Sequence, residues 1–208
     1  RPLTLNTPKP LLKLKGQTLI EYGLNHAFRY GIENFWFTIG YLGEQIENYL
    51  NQIKKQGIKF NFIKEEIPLG TIGSISKIEK FHHENILVSN ADLITDLDLE
   101  KFYLHHIKHD SDLTILTRNY DVKIPFGVIE YEGKKVKQIN EKPTLRNIIN
   151  GGIYLLKREH ICHIPENTFF NATDLIEKMI SKGLIVKYYT HKGIWNDLGR
   201  LEDFKRSM

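Results

Sequence analysis

Along roughly the first hundred residues the spacing of apolar side chains switches repeatedly between a helical and a strand period, a rhythm few folds accommodate. Leu19, Leu24, Ala27 and Phe28 share one helical face; Thr18 and Glu21 form a capping-box pattern at its start, and Gly31 stops it. Residues 35–39, FWFTI, are a continuous apolar run, expected as a strand buried on both faces. The helical pattern returns in EQIENYLNQIKKQG, with Ile46, Tyr49, Leu50 and Ile53 on one face and Gly57 at the end. IKFNFI and NILVS read as further strands, and DLEKFYLHHIKHD as a helix capped by Asp98. Past residue 112 the rhythm changes: DLTILTR, FGVIEYEGKKVKQI and IINGGIYLL are strand-rich, the middle one turning at Glu132-Gly133. A helix (ATDLIEKMISKG), a strand (LIVKYY) and a short terminal helix close the chain. The pattern predicts one α/β domain over 1–208 with a mixed, mainly parallel sheet and an inserted strand-rich portion.

Composition excludes several function classes. The 208 residues carry a net charge of +4 in mixed-sign runs, and the aromatics interleave with core positions instead of a basic face. That pattern argues against nucleic acid as partner and suits small anionic ligands. No apolar run approaches the roughly 18 residues of a membrane span, so no membrane partner is expected. The single cysteine, Cys162, fits a reducing, cytoplasmic setting and has no triad around it that would make it a nucleophile.

In open α/β sheets ligands bind beyond the carboxyl ends of the strands, which directs attention to strand ends. Asp92 follows NILVS and Asp197 follows the last strand; two carboxylates on one rim could hold Mg²⁺. Lys9 lies between Pro8 and Pro10, and Lys142 lies between Glu141 and Pro143. A residue before proline is pushed toward extended backbone, which would hold both lysines out from their loops. EIPLGTIGS is a glycine-containing turn entering a helix, where backbone can approach a ligand closely and a helix N-terminus favours anionic groups. Each feature singly has an ordinary reading as a cap, a turn or a solvated lysine.

In their order along the chain, RPLTLNTPKPLL, PLGTIGS, NADLITD, PFGVIE, EKP, NGGIY and WNDLGR resemble the sugar-1-phosphate nucleotidyltransferases (the NDP-sugar pyrophosphorylases). The start is most similar to the mannose-1-phosphate guanylyltransferase-like branch. The resemblance implies a Rossmann-like three-layer fold whose inserted strands bind the sugar, and transfer of a nucleotidyl group from a nucleoside triphosphate to a sugar 1-phosphate, giving an NDP-sugar, with GTP the expected triphosphate. It implies Mg²⁺ on Asp92 and Asp197, the triphosphate against Lys9, and the sugar phosphate against Lys142. Glu141 would accept from sugar hydroxyls, Gly127 and Asn150 would line the sugar pocket, and Leu69, Gly70 and Thr71 would face base and ribose. Glu65 could accept from both N–H groups of guanine's pairing edge.

Two departures from the family pattern stand out. Ala91 occupies the position before the metal aspartate where glycine is usual, tolerable only if the backbone there is not left-handed. The family also places a strand and a glycine-rich phosphate loop ending in a catalytic arginine directly before RPLT, and Arg1 matches the residue after that loop. The chain is therefore expected to be an N-terminally truncated domain (first strand and glycine-rich loop missing), nearly inactive by itself. A non-catalytic nucleotide-sugar-binding or regulatory domain is the alternative, and a homo-oligomer fits either reading. His105 and His109 have i,i+4 spacing that could suit zinc, but with His106 adjacent they read as a solvated face.

Overall fold

The computed structural model describes residues 5–197. Its strands and helices are β1 (Lys13–Leu14), β2 (Gln17–Thr18), α1 (Leu19–Phe28), β3 (Asn34–Ile39), α2 (Gly43–Ile53), β4 (Lys59–Lys64), β5 (Asn85–Ser89), β6 (Leu93–Thr95), α3 (Leu99–Lys108), β7 (Leu113–Lys123), β8 (Val128–Glu132), β9 (Lys135–Asn140), β10 (Thr144–Lys157), α4 (Ala172–Ser181), β11 (Val186–Thr190) and β12 (Trp195–Asp197). The short helix expected at the C-terminus lies outside the described residues. Local signals place the helix starts: Glu21 Oε2 accepts from the Thr18 N–H at 2.9 Å, and Asp98 Oδ1 accepts from the Lys101 N–H at 3.0 Å. No helix among the described residues is long and apolar enough to cross a membrane.

The main sheet has the order β11-β7-β10-β5. β10 is antiparallel to both β5 and β7, and β11 is parallel to β7, so β5, β7 and β11 run one way and β10 alone runs the other. Alternate residues of β10 explain the three layers. Tyr154 and Leu156 pack with Leu175 and Met179 of α4, whereas Ile153 and Leu155 pack with Leu99 and Phe102 of α3. Phe102 and Met179 are fully buried, each contributing about 1.5–3 kcal/mol relative to exposure.

β3 and β4 form a separate parallel pair. Phe35, Phe37 and Ile39 face α1 and α2 with Leu24, Ile46 and Leu50. Trp36, on the other face, is 39% exposed, so FWFTI is buried on one face and not two. An apolar run cannot report that only one side of its sheet is covered. Among the described residues β3 pairs only with β4, and β5 only with β10. A cavity of about 1690 Å³ lies between them, lined by Phe35 and Phe37 on one side and Ile86 and Val88 on the other.

Past the point where β5 ends against Ile153, β7 and β10 continue together to Lys123 and Thr144. Because β10 is antiparallel to β5, this two-stranded arm projects beyond the carboxyl end of β5. It carries the β8–β9 hairpin, whose turn contains Gly133 at φ +56°. The strand-rich insertion expected from the sequence is this arm and hairpin.

His106, read as part of a solvated face, is fully buried. Its Nε2–H donates to Asn85 Oδ1 at 3.0 Å, which leaves Nδ1 to accept from the Thr114 hydroxyl at 2.8 Å. Burial pushes its pKa down to about 4. Spacing carried a signal for it: Leu99, Phe102 and His106 are three and four residues apart, on one helical face.

Candidate active site

The rim is identified by what crosses it. The Tyr41 hydroxyl, just past β3, donates to the Leu5 carbonyl at 3.2 Å, and Gln45 Nε2 donates to the Asn6 carbonyl at 3.2 Å. Three residues on, the Lys9 ammonium pairs with Asp92, just past β5. Residues 5–9 therefore run across the carboxyl ends of β3 and β5, as ligand-binding loops of such sheets do.

The second carboxylate arrives by strand pairing. β12 pairs antiparallel with β6, matching Asp197 to Leu93, Asn196 to Ile94 and Trp195 to Thr95. Asp197 thus sits across from the residue that follows Asp92, although 105 positions separate the two in sequence. Paired Cα atoms lie about 4.5–5.5 Å apart, so the two aspartates belong to one corner. Ala91 is not among the residues with positive φ, so its methyl is accommodated where glycine was expected. The donor set, two carboxylates beside solvent with a cation already paired to one, suits a hard divalent ion such as Mg²⁺. A tighter acidic cluster, Asp112, Glu159 and His160, lies at the opposite end of the sheet. There Lys157 Nζ is 3.1 Å from Asp112 Oδ1, and the Ile185 N–H donates to Asp112 Oδ2 at 2.7 Å. Both oxygens of Asp112 are thus engaged by donors of the chain, whereas Lys9 pairs with Asp92 through Oδ2, so the cluster reads as a structural knot.

The other expected residues divide between rim and arm. Glu65 follows β4, and its Oε1 accepts from the buried Ser74 hydroxyl at 2.6 Å, a contact sequence reasoning missed. Leu69 is buried in the core, so this loop can meet a ligand only through its backbone and neighbours. Gly70 has φ +77°, and a Cβ there would lie 2.7 Å from the Phe170 carbonyl oxygen. The Thr71 hydroxyl accepts from the Ala172 N–H at 2.7 Å, capping α4. The helix expected after this loop is only a five-residue 3₁₀ turn, Gly73–Lys77. The N–H groups of Ile72 and Gly73 at its start already donate to the Phe170 carbonyl, at 3.2 and 3.1 Å, so they are not open to an anion.

On the arm, Gly127 and Glu141 meet: a Cβ on Gly127 would stand 3.0 Å from Glu141 Oε2. Lys142 departs from the expected extended backbone, with φ +47°. The chain bends at 141–142 between β9, ending at Asn140, and β10, starting at Thr144, and the Pro143 carbonyl accepts from the Ile124 N–H at 3.0 Å. That junction overrides the pre-proline preference, at a cost of order 1–3 kcal/mol for a non-glycine residue. Lys9 departs too: it begins the 3₁₀ turn Lys9–Leu11, and the turn aims its side chain at Asp92. Asn150 sits at a register shift in β10, its Oδ1 accepting from the Gly152 N–H at 2.9 Å and its Nδ2 donating to the Tyr154 hydroxyl at 2.8 Å. Asn90, two residues before Asp92, joins this irregularity to the rim by donating its N–H to the Gly152 carbonyl at 3.0 Å.

Comparison with known proteins agrees with this fold. The nucleotidyl transferase family profile matches residues 1–208. The mannose-1-phosphate guanylyltransferase catalytic subunit beta of Xenopus tropicalis is 26% identical over 216 residues, covering 100% of this chain and 60% of that protein. Its Drosophila melanogaster counterpart is 28% identical over 215 residues, covering 100% of this chain and 58% of that protein. The chain thus spans about three-fifths of the length of the curated relatives it matches. HddC from Yersinia pseudotuberculosis superposes with a TM-score of 0.74 at 25% identity, covering 96% of this chain and 88% of that one. With the three-layer sheet, the carboxylate corner and the strand-rich arm each in place, the full-length profile match places this chain in the nucleotidyl transferase family.

Proposed function

We propose that the protein transfers a nucleotidyl group from a nucleoside triphosphate to a sugar 1-phosphate, releasing pyrophosphate, with GTP as the triphosphate and mannose 1-phosphate as the first sugar to try. The observation that carries this reading is the β6–β12 pairing, which gathers Asp92, Asp197 and Lys9 at one rim below the arm bearing Glu141 and Lys142. The guanine and mannose assignments draw support from the names of the relatives.

An oxygen of the sugar phosphate attacks the α-phosphorus, one P–O bond forms, and the bond from that phosphorus to the β-phosphate oxygen breaks. Pyrophosphate leaves with the electron pair. The nucleophile is already anionic, so the barrier lies in bringing like charges together and stabilising the charge that builds on the phosphoryl oxygens. Mg²⁺, held by Asp92 and Asp197, supplies neutralisation of that charge when bound. Lys9 neutralises phosphate oxygens from the rim side. Lys142 holds the sugar phosphate in line from the arm side, and Glu141 accepts from sugar hydroxyls against the close backbone of Gly127. Glu65, steadied by Ser74, offers an acceptor to guanine.

The test is a screen of the full-length protein with four nucleoside triphosphates against a panel of sugar 1-phosphates, read by pyrophosphate release. The highest turnover is expected with GTP, mannose 1-phosphate and Mg²⁺. A folded protein that turns over no pair in the screen would overturn the catalytic reading.

A further inference from the structure

β12 is only three residues long and pairs only with β6 among the described residues, so three ladder positions do not by themselves fix its register. The loop ahead of it, residues 191–194, and Trp195 at the start of β12 are held by β6, β7 and β10. The His191 N–H donates to the Thr117 carbonyl at 2.9 Å, anchoring the start of the loop to β7. His191 Nε2–H points at Asp96 Oδ1, 2.8 Å away, with the Ile194 carbonyl at 3.1 Å from the same nitrogen. The Ile194 carbonyl also accepts from the Thr95 hydroxyl at 2.9 Å and from the Asp96 N–H at 3.3 Å. Arg118 Nη1 donates to the Gly193 carbonyl, and Trp195 Nε1 donates to the Gly151 carbonyl at 2.8 Å. Gly193 leaves no space for a side chain, since a Cβ there would collide with Asp96 Oδ1 and come within 2.8 Å of His191 Cε1. The imidazole, the carboxylate and the bare glycine backbone close on each other as a clasp.

We propose that His191 and Asp96 are a positioning pair for the divalent-cation seat. The clasp joins the corner after β6 to the loop before β12 and so holds β12 in the register that brings Asp197 beside Asp92. The pair touches neither substrate nor cation. This rests on the reading of Asp92 and Asp197 as the cation seat. The His191 side chain is 11% exposed and the Asp96 side chain 52%, so the contact is half open to water, and it holds the loop together with the Thr95, Arg118 and Trp195 hydrogen bonds to the same segment.

The experiment is Mn²⁺ binding to the full-length protein, followed by the electron paramagnetic resonance signal of free Mn²⁺, with no nucleotide and no turnover required. Wild-type protein should bind saturably, and Asp92→Asn should abolish that binding, which locates the signal at the rim. Asp96→Ala and His191→Ala should each weaken binding about tenfold, the low end of what outer partners of a metal site contribute. The far-ultraviolet circular dichroism should stay unchanged. The double variant should be no worse than either single one, because the two act as a unit. His191→Gln, which restores an N–H donor of similar reach, should recover most of the affinity. A simple charge effect predicts otherwise: removing the His191 partner would leave the Asp96 charge near the seat and would not weaken cation binding. Should Asp96→Ala not fold, Asp96→Asn keeps the shape, and a several-fold loss is expected.

Wild-type affinity in both alanine variants would overturn the positioning role. So would losses that add in the double variant and are not recovered by His191→Gln, since those describe scaffold damage. A wild-type protein that binds no Mn²⁺ at all, or binds it unchanged in Asp92→Asn, would instead bring down the reading of the cation seat, and the positioning pair with it.

Discussion

The carboxylate corner and the hairpin arm face the same rim but are built on opposite terms. At the corner Asp92 is ion-paired and only 24% exposed, and the loop leading to Asp197 is tied by backbone and side-chain hydrogen bonds to β6, β7 and β10. On the arm the Glu141 and Lys142 side chains are 69% and 68% exposed, their ammonium and carboxylate 3.9 Å apart, and the nearby Phe126 and Tyr131 lie open to solvent. The groups assigned to phosphoryl charge are arranged before any ligand arrives, which is what electrostatic stabilisation requires. The groups assigned to the sugar must be ordered by it, at roughly 0.5–1.5 kcal/mol per long side chain immobilised. The contrast suggests a division of labour, with rate set at the corner and selectivity set on the arm.

The largest expected effect tests the corner. Asp92→Asn and Asp197→Asn should each lower kcat by about a thousandfold, the scale of losing a main source of transition-state charge stabilisation. The melting temperature should stay within a few degrees, because neither side chain belongs to the core. A loss confined to KM would show that the corner binds ground state and transition state alike, and the division of labour would fail.

A smaller effect tests the arm against the corner. Lys142→Ala should raise KM for the sugar 1-phosphate by about tenfold to a hundredfold, the value of a charge-assisted hydrogen bond, while KM for the triphosphate changes little. Lys9→Ala should act on the triphosphate and pyrophosphate side. It should also bring Asp92 a second phenotype, because the carboxylate loses its ion-pair partner. Equal losses for both substrates in both variants would erase the distinction between the two regions.

How much of this could be read in the chain follows the range of the forces involved. Thr18 with Glu21, Asp98 and the Glu132-Gly133 turn were legible because a cap or a turn is decided within four residues. Asp92 and Asp197 were individually visible as residues after strands, yet their meeting depends on β6 and β12, two three-residue strands with no apolar pattern long enough to register. Lys142 escapes the rule for residues before proline because that rule is local, whereas its backbone is set by the bend that joins β9 to β10. His191 and Asp96 carried no motif at all; they become a pair only when the β6 corner and the loop before β12 are brought together. The Glu65 contact with Ser74 is equally hidden, since the two lie nine positions apart across a mostly irregular stretch.

The smallest effect concerns the sheet that carries the corner, at its opposite end, and it sharpens the comparison because the arm lacks the group responsible. His106 bridges Asn85 of β5 and Thr114 of β7 through both ring nitrogens, and its burial keeps the ring neutral. Residues 112–158, which include β7, the hairpin and β10, contain no histidine. With a folded pKa of about 4 against about 6.5 when unfolded, the folded protein resists protonation that the unfolded chain accepts. The neutral ring's contribution to stability is therefore fully present above about pH 6.5 and is lost progressively as pH falls toward 4. At pH 5.5 the expected loss from this group alone is roughly 1 kcal/mol. In a His106→Gln variant that folds, stability measured by urea unfolding should fall less steeply between pH 6.5 and 4.5 than in the wild type. Amide exchange should show the wild-type loss first in β5 and β7 at Asn85 and Thr114, below the rim, with β8 and β9 unaffected over the same range. Parallel pH curves for the two proteins would remove His106 as the source, and acid-induced opening that begins in the hairpin would reverse the comparison between corner and arm.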